Sequence, residues 1–242
     1  NWNFYPWRRL QKYNDLYYSP GYVVGFQGYE RSVSYPNGHR NVVFPTRSPR
    51  GDWVFPTSTT VPLGTDQSWL YEQVRPTGGI VIAHTPGDEM GTSWNYDVDT
   101  SVEPVVEIYQ GDRQNYEMPG APRANTAKRS AGGWRPFGFV SLALKKGYRL
   151  GFQASSDHIS VHMSYCNVWA EDVTRQAIFE ALKRRHVYGS TDNIVAEMRC
   201  GDNFMGDEFT VSAPPTLRVR IVGSQPMAKV HVVKDGAYVH SI

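Results

Sequence analysis

The sequence predicts an α/β fold, strands alternating with helices, followed by a small antiparallel β module. Three observations lead there. Four short runs rich in β-branched residues are apolar without alternation, the pattern of strands buried on both faces, as in a parallel sheet or barrel. Segments of helical periodicity lie between them. After about residue 187 the chain turns to short segments of alternating polarity separated by turn signals.

The four runs are YVVGFQGYE (22–30), GGIVIAHTP (78–86), VEPVVEIYQ (102–110) and YRLGFQASSD (148–157), each ending in polar residues. Helix-like segments fall at residues 8–18, at 67–75 around DQSWLYEQV, in part of 134–147, and at 171–186, EDVTRQAIFEALKRRH. In the last, Val173, Ile178, Ala181 and Leu182 line one face. Acidic residues open that segment and basic residues close it, which complements the helix dipole. Residues 44–66 and 88–132, rich in Pro, Gly, Thr and Asp, read as long excursions over the strand ends, where binding sites often sit. NIVAEMRC, TLRVRIVG and AKVHVVKDGAYVHSI carry the terminal alternation, with a turn at Lys234-Asp235-Gly236. The expected division is an α/β portion over 1–187 and a β module over 188–242.

At 242 residues, with 40% hydrophobic and 20% charged side chains, the chain is long enough to bury a sizeable core. Its formal charge of +2 is spread among acidic and basic residues without a basic stripe, so nucleic acid is not an expected partner. No apolar run approaches the ~20 residues of a membrane span. Cys166 and Cys200 share no metal-type spacing, and Cys166 has no obvious base partner for nucleophilic work. The sequence opens on NWNFYPWRRLQKYNDLYY, without Met or a signal-peptide core and already amphipathic, as expected of a chain from which something upstream was removed or left out.

The residues that end the runs carry the chemistry. Glu30 closes the first run, His39 follows nine residues later, His84 closes IVIAH, Glu107 lies in VVEIY, and Asp157 with His158 close the fourth. In parallel α/β architectures strand ends converge on one site. Histidines with carboxylates are the ligand set for zinc, manganese or iron. Taken singly, each has the simpler reading of a hydrogen-bonded structural residue; it is the conjunction that points to a metal. Arg40 and Arg113 adjoin proposed ligands and could hold an anionic substrate group, or equally be solvated surface arginines. Trp94 and Tyr109 could line a pocket, with packing as the default.

The stretches GYE (28–30), GHRN (38–41), IAHTPGD (82–88), VEIYQGDR (106–113), GFQASSDH (151–158) and RHVYGSTDN (185–193) together resemble the polymerase-and-histidinol-phosphatase (PHP) superfamily of metal-dependent hydrolases, in particular an uncharacterised branch related to carbaryl-hydrolase-like proteins. The resemblance implies a distorted (β/α)7 barrel holding two or three divalent ions. It matches Glu30 to a bridging glutamate, His39 and His84 to ligand histidines and Asp157 to the last aspartate. Glu107 would be either a ligand or a residue that orients one. The usual last motif is Asp-x-His, whereas here His158 follows Asp157 directly, so His158, or else His162, would complete it.

The superfamily's opening His-x-His and Asp-His motifs have no counterpart in residues 1–27, which contain no histidine. This implies either that first strands carried by a missing N-terminal segment or another chain complete the barrel, or that the site is degenerate. The function expected is a divalent-metal-dependent hydrolase acting on a small-molecule ester, phosphoester or carbamate through metal-activated water. The rival is a non-enzymatic binding or assembly protein on a degenerate barrel. The residues do not fix a compartment; export signals are frequent in the superfamily, which leans the expectation to a periplasmic or secreted location.

Overall fold

A computed structural model describes residues 4–47, 67–111, 114–158 and 162–242. Its centre is an open five-stranded sheet in the order β1 (Gln27–Arg31), β2 (Arg40–Phe44), β3 (Ile80–Ala83), β4 (Val105–Gln110), β5 (Gly151–Ser155). β1, β2 and β3 pair antiparallel, and β3, β4 and β5 pair parallel.

The expected (β/α)7 barrel is therefore wrong. Among the described residues the chain has twelve strands in four separate sheets and four short helices, and no sheet closes. The error traces to β2, RNVVF, which the sequence reading passed over. This strand enters antiparallel between β1 and β3 and turns the first half of the sheet into a meander. The double-sided burial that suggested a parallel barrel is real, since all four residues of β3 are buried. It arises because helices cover both faces of a mixed sheet.

One face packs on α1 (Phe4–Leu16), α2 (Gln67–Val74) and α3 (Val140–Lys145). Trp7, Val42, Phe44, Leu70, Tyr71, Val74 and Val81 form one cluster there, and Ala83, Trp94, Val106, Val140, Ala143 and Leu150 a second. The opposite face carries Ile80, Ile82 and Val105 against Phe179 and Leu182 of α4 (Arg175–Lys183). The buried side of α4 thus uses Phe179 with Ala181 and Leu182, while Val173 lies before the helix and is exposed. Thr174 caps α4, its side chain accepting from the Ala177 N–H at 3.2 Å.

β6 (Tyr165–Val168) and β7 (Val187–Ser190) form an antiparallel ribbon, and Val187 joins the α4 cluster. Beyond it, β8 (Val195–Cys200) lies between β9 (Asn203–Phe204) and β10 (Arg218–Val222). β11 (His231–Lys234) and β12 (Ala237–Ser241) make a hairpin. Lys234 pairs with Ala237, leaving Asp235 (φ 53) and Gly236 (φ 77) as a two-residue loop with both φ positive, the twist that matches flanking strands.

Among the described residues no helix is long and apolar enough to cross a membrane. Residues 48–66, most of the first expected excursion, lie outside the described residues. The second excursion is interrupted by β4, and beyond that strand it holds isolated bridges at Asn115 and Thr126.

Candidate metal centre

Strand alternation decides which residues meet. On β1, Tyr29 faces the α1 and α2 cluster, so Glu30 faces the other way. Glu30 is in register with Asn41 of β2. On β2, Val42 and Phe44 join the same helical cluster as Tyr29, which turns Asn41 and Val43 toward the α4 side, and His39, two residues before Asn41, follows them. On β3, Ile80 and Ile82 face α4, and His84 continues that row past the strand end. On β5 the row is Gly151, Gln153, Ser155, then Asp157.

The result is a compact cluster. One ligating atom from each of Glu30, His39 and His84 lies within 4.8 Å of the others. Glu30 Oε1 stands 2.9 Å from His39 Nδ1 and 3.5 Å from His84 Nε2. The two rings are 5.7 Å apart, tilted by 51°. His84 is buried, and its Nε2 makes no hydrogen bond, Glu30 Oε1 being near but outside hydrogen-bonding geometry. A buried polar nitrogen left this way costs free energy unless another group engages it.

Glu107 sits behind His84, with Oε1 3.9 Å from Nδ1. It is fully buried, and four donors hold it. The Thr85 N–H reaches Oε1 at 3.1 Å, Gln110 Nε2 reaches Oε1 at 3.2 Å, Gln153 Nε2 reaches Oε2 at 3.3 Å, and the Ser155 hydroxyl also donates to Oε2. The carboxylate is thus fixed in place behind the His84 ring, without a hydrogen bond to it. Two residues at the strand ends hold left-handed backbone, Thr85 (φ 50) and Asp157 (φ 61). For β-branched Thr85 this is an unusual conformation, and it is the one that presents its N–H to Glu107.

The electrostatics are those of a charged knot. The hydrogen bond from His39, with the adjacent imidazole of His84 adding to it, holds the Glu30 carboxyl far below the ordinary carboxylate range. Burial disfavours the charged form of His84, but Glu30, Glu107 and Asp157 outweigh it and raise the imidazole above its ordinary value. Burial raises Glu107, with the Asp157 charge adding to the effect and His84 opposing it. Asp157 is thus close enough to act on both His84 and Glu107, although it stands outside the tight trio.

The other expected site residues fare differently. His158 is exposed, with Nε2 3.7 Å from Asp157 Oδ1, at the mouth of the cavity rather than in the cluster. Arg113 lies outside the described residues. Arg40 is completely buried on the opposite face of the sheet, which rules out contact with a substrate at the cluster. Its Nε donates to Glu103 Oε2 at 3.0 Å, and its Nη2 donates to Gln67 Oε1 at 2.8 Å and Thr92 Oγ1 at 3.0 Å. The expectation for Arg40 failed because adjacency in a strand separates side chains: His39 and Arg40 point to opposite faces. Trp94 packs in the core and donates to the Gly138 carbonyl at 2.7 Å, and the Tyr109 hydroxyl accepts from Arg123 at 3.0 Å.

An open cavity of about 570 Å³ lies over the cluster, lined by Glu30, Asn41, His84, Gln153, Asp157 and Tyr165 among others. Asn41, Gln153 and Ser155 were missed from sequence. The signal that finds them is the period of two running through HRNVVF and GFQASSD.

A family model described as a protein of unknown function (DUF3604) matches residues 143–228. That span runs from α3 to beyond β10 and contains Asp157 and His158, but not Glu30, His39 or His84. No curated protein and no solved structure matches the chain.

Proposed function

We propose that the chain is a divalent-metal-dependent hydrolase that cleaves an ester, phosphoester or carbamate. The observation that carries this reading is the trio Glu30, His39 and His84, with the buried Nε2 of His84 lacking a hydrogen bond. Two imidazoles and a carboxylate at such spacing fit zinc, manganese or iron. The resemblance of GYE, GHRN and IAHTPGD to the PHP superfamily supports the same ligand set.

A bound ion of this kind supplies a hydroxide near neutral pH and a charge that stabilises a developing oxyanion. Glu30 sits between the two histidines and would be shared between ligand positions. The negative charge of Glu107, 3.9 Å from His84 Nδ1, lies behind the ring while Nε2 faces the cluster. Asp157 adds negative charge beside them, and Asn41, in register with Glu30, lines the space where a substrate would rest.

The test is elemental analysis of the purified protein and of His84→Ala, with circular dichroism as a folding control. The expected result is near-stoichiometric zinc, manganese or iron in the wild type, lost from the folded variant, together with metal-dependent hydrolysis of p-nitrophenyl esters or bis(p-nitrophenyl) phosphate. A well-folded wild type that neither carries nor takes up these metals overturns the proposal.

A further inference from the structure

A second cavity, of about 410 Å³, lies on the other side of the sheet from the cluster. Its apolar lining is Ile108, Met118, Val140, Leu144, Phe152 and Val233. Ile108 and Phe152 are the sequence neighbours of Glu107 and Gln153, so the two cavities stand back to back on β4 and β5. The volume falls within the range of small-molecule sites.

Two strand irregularities border it. The pairing of β4 with β5 slips between Glu107 and Tyr109, which leaves Ile108 without a partner in the ladder. The β11–β12 pairing slips between Val232 and Val233, and Val233 forms the facing wall. Bulges bend a strand and redirect a side chain, and they gather beside binding sites. Leu144 and Val233 remain 42% and 39% exposed on either side of the gap, apolar surface that an occupant would cover.

The polar groups of the lining define the occupant. Glu117 and Lys145 both face the cavity, and neither is in an ion pair among the described residues. Asp235, at the hairpin turn, is already 3.8 Å from Lys234. A charged ligand would meet one of Glu117 and Lys145 favourably and the other unfavourably. A neutral group that both donates and accepts would satisfy both. Met118 and Phe152 suit an aromatic body through sulfur–ring and ring–ring contacts.

We propose that this cavity binds a small neutral aromatic molecule bearing a hydroxyl or carboxamide. The proposal does not depend on the metal centre.

The probe is 2-naphthol, titrated into the full chain by calorimetry and by its own fluorescence. Saturable one-to-one binding is expected, with a Kd on the order of 100 µM for a ligand this small. Leu144→Trp and Val233→Trp, each from an exposed wall, fill the cavity and weaken binding at least about tenfold. Leu10→Trp, on the exposed side of α1, leaves Kd within about twofold. Absence of saturable binding up to about 1 mM overturns the proposal, as does a Kd unchanged in both filling variants, which would place the probe elsewhere.

Discussion

Replacing Arg40 with alanine separates a structural arginine from a substrate-binding one. The guanidinium is fully buried and pairs with Glu103 Oε2 at 3.0 Å, and Glu103 is itself buried. Tyr71 donates to the same oxygen at 2.6 Å, while Glu103 Oε1 has no hydrogen-bond partner. Removing the arginine leaves a buried carboxylate held by one phenol, and breaking a buried pair in this way costs about 3–5 kcal/mol. Against a typical total of about 5–15 kcal/mol this is a large fraction. With a urea slope of about 2–3 kcal/mol/M for a chain of this size, the midpoint should fall by roughly 1–2 M. Replacing both partners with apolar residues, Arg40→Met with Glu103→Leu, should recover most of the loss, because no unpaired charge remains. An Arg40→Ala midpoint within a few tenths of a molar of wild type, or a double variant no more stable than the single one, would refute the reasoning.

Thr174→Ala removes the cap that accepts from Ala177 N and should cost about 1 kcal/mol, read from urea unfolding. A Cβ at position 138 would fall 1.5 Å from the Pro86 carbonyl oxygen, so Gly138→Ala must push the 136–138 turn off the loop that follows His84. A loss of about 1–3 kcal/mol is expected, seen as a lower Tm. Asp207 accepts from the Phe204 N–H and from His186 at 2.9 Å, and these outweigh its partial burial and hold its carboxyl below the ordinary value. A carboxyl lowered in the folded state contributes stability above its unfolded pKa and loses that contribution as pH falls through the folded value. The stability advantage of wild type over Asp207→Asn should therefore be full near pH 6 and vanish toward pH 2; an advantage that grows with acid would contradict the assignment.

Much of the candidate site was legible because strand ends were. Glu30, His84 and Asp157 each stand at or just past the end of a β-branched run, and the fold brings them to one side of the sheet. The positions of β3, β4, β5 and the helices were visible for the same reason, as local periodicity. Topology was not, because it depends on pairing between distant segments. Five residues, RNVVF, decided whether the sheet was parallel or mixed, and nothing in their own composition states which neighbours they take. The misreading of Arg40 has the same root. Had residues 39–44 been read as a strand, alternation alone would have sent Arg40 to the helical face with Val42 and Phe44.

The two faces of the sheet divide the energetic work. Toward α1, α2 and α3 the buried charge of Arg40 is paired, meeting Glu103, Gln67 and Thr92 within hydrogen-bonding distance. Toward the cavity the matching is incomplete. Glu30, Glu107 and Asp157 crowd His84, whose Nε2 has no hydrogen bond. Four donors are spent on fixing Glu107, a residue whose burial penalises its own charge. A chain selected for stability alone would gain by replacing that knot with apolar side chains. Ordering so many groups around an unsatisfied nitrogen is explicable if they hold a geometry for a cation, which is the physical basis for placing function at this end of the sheet.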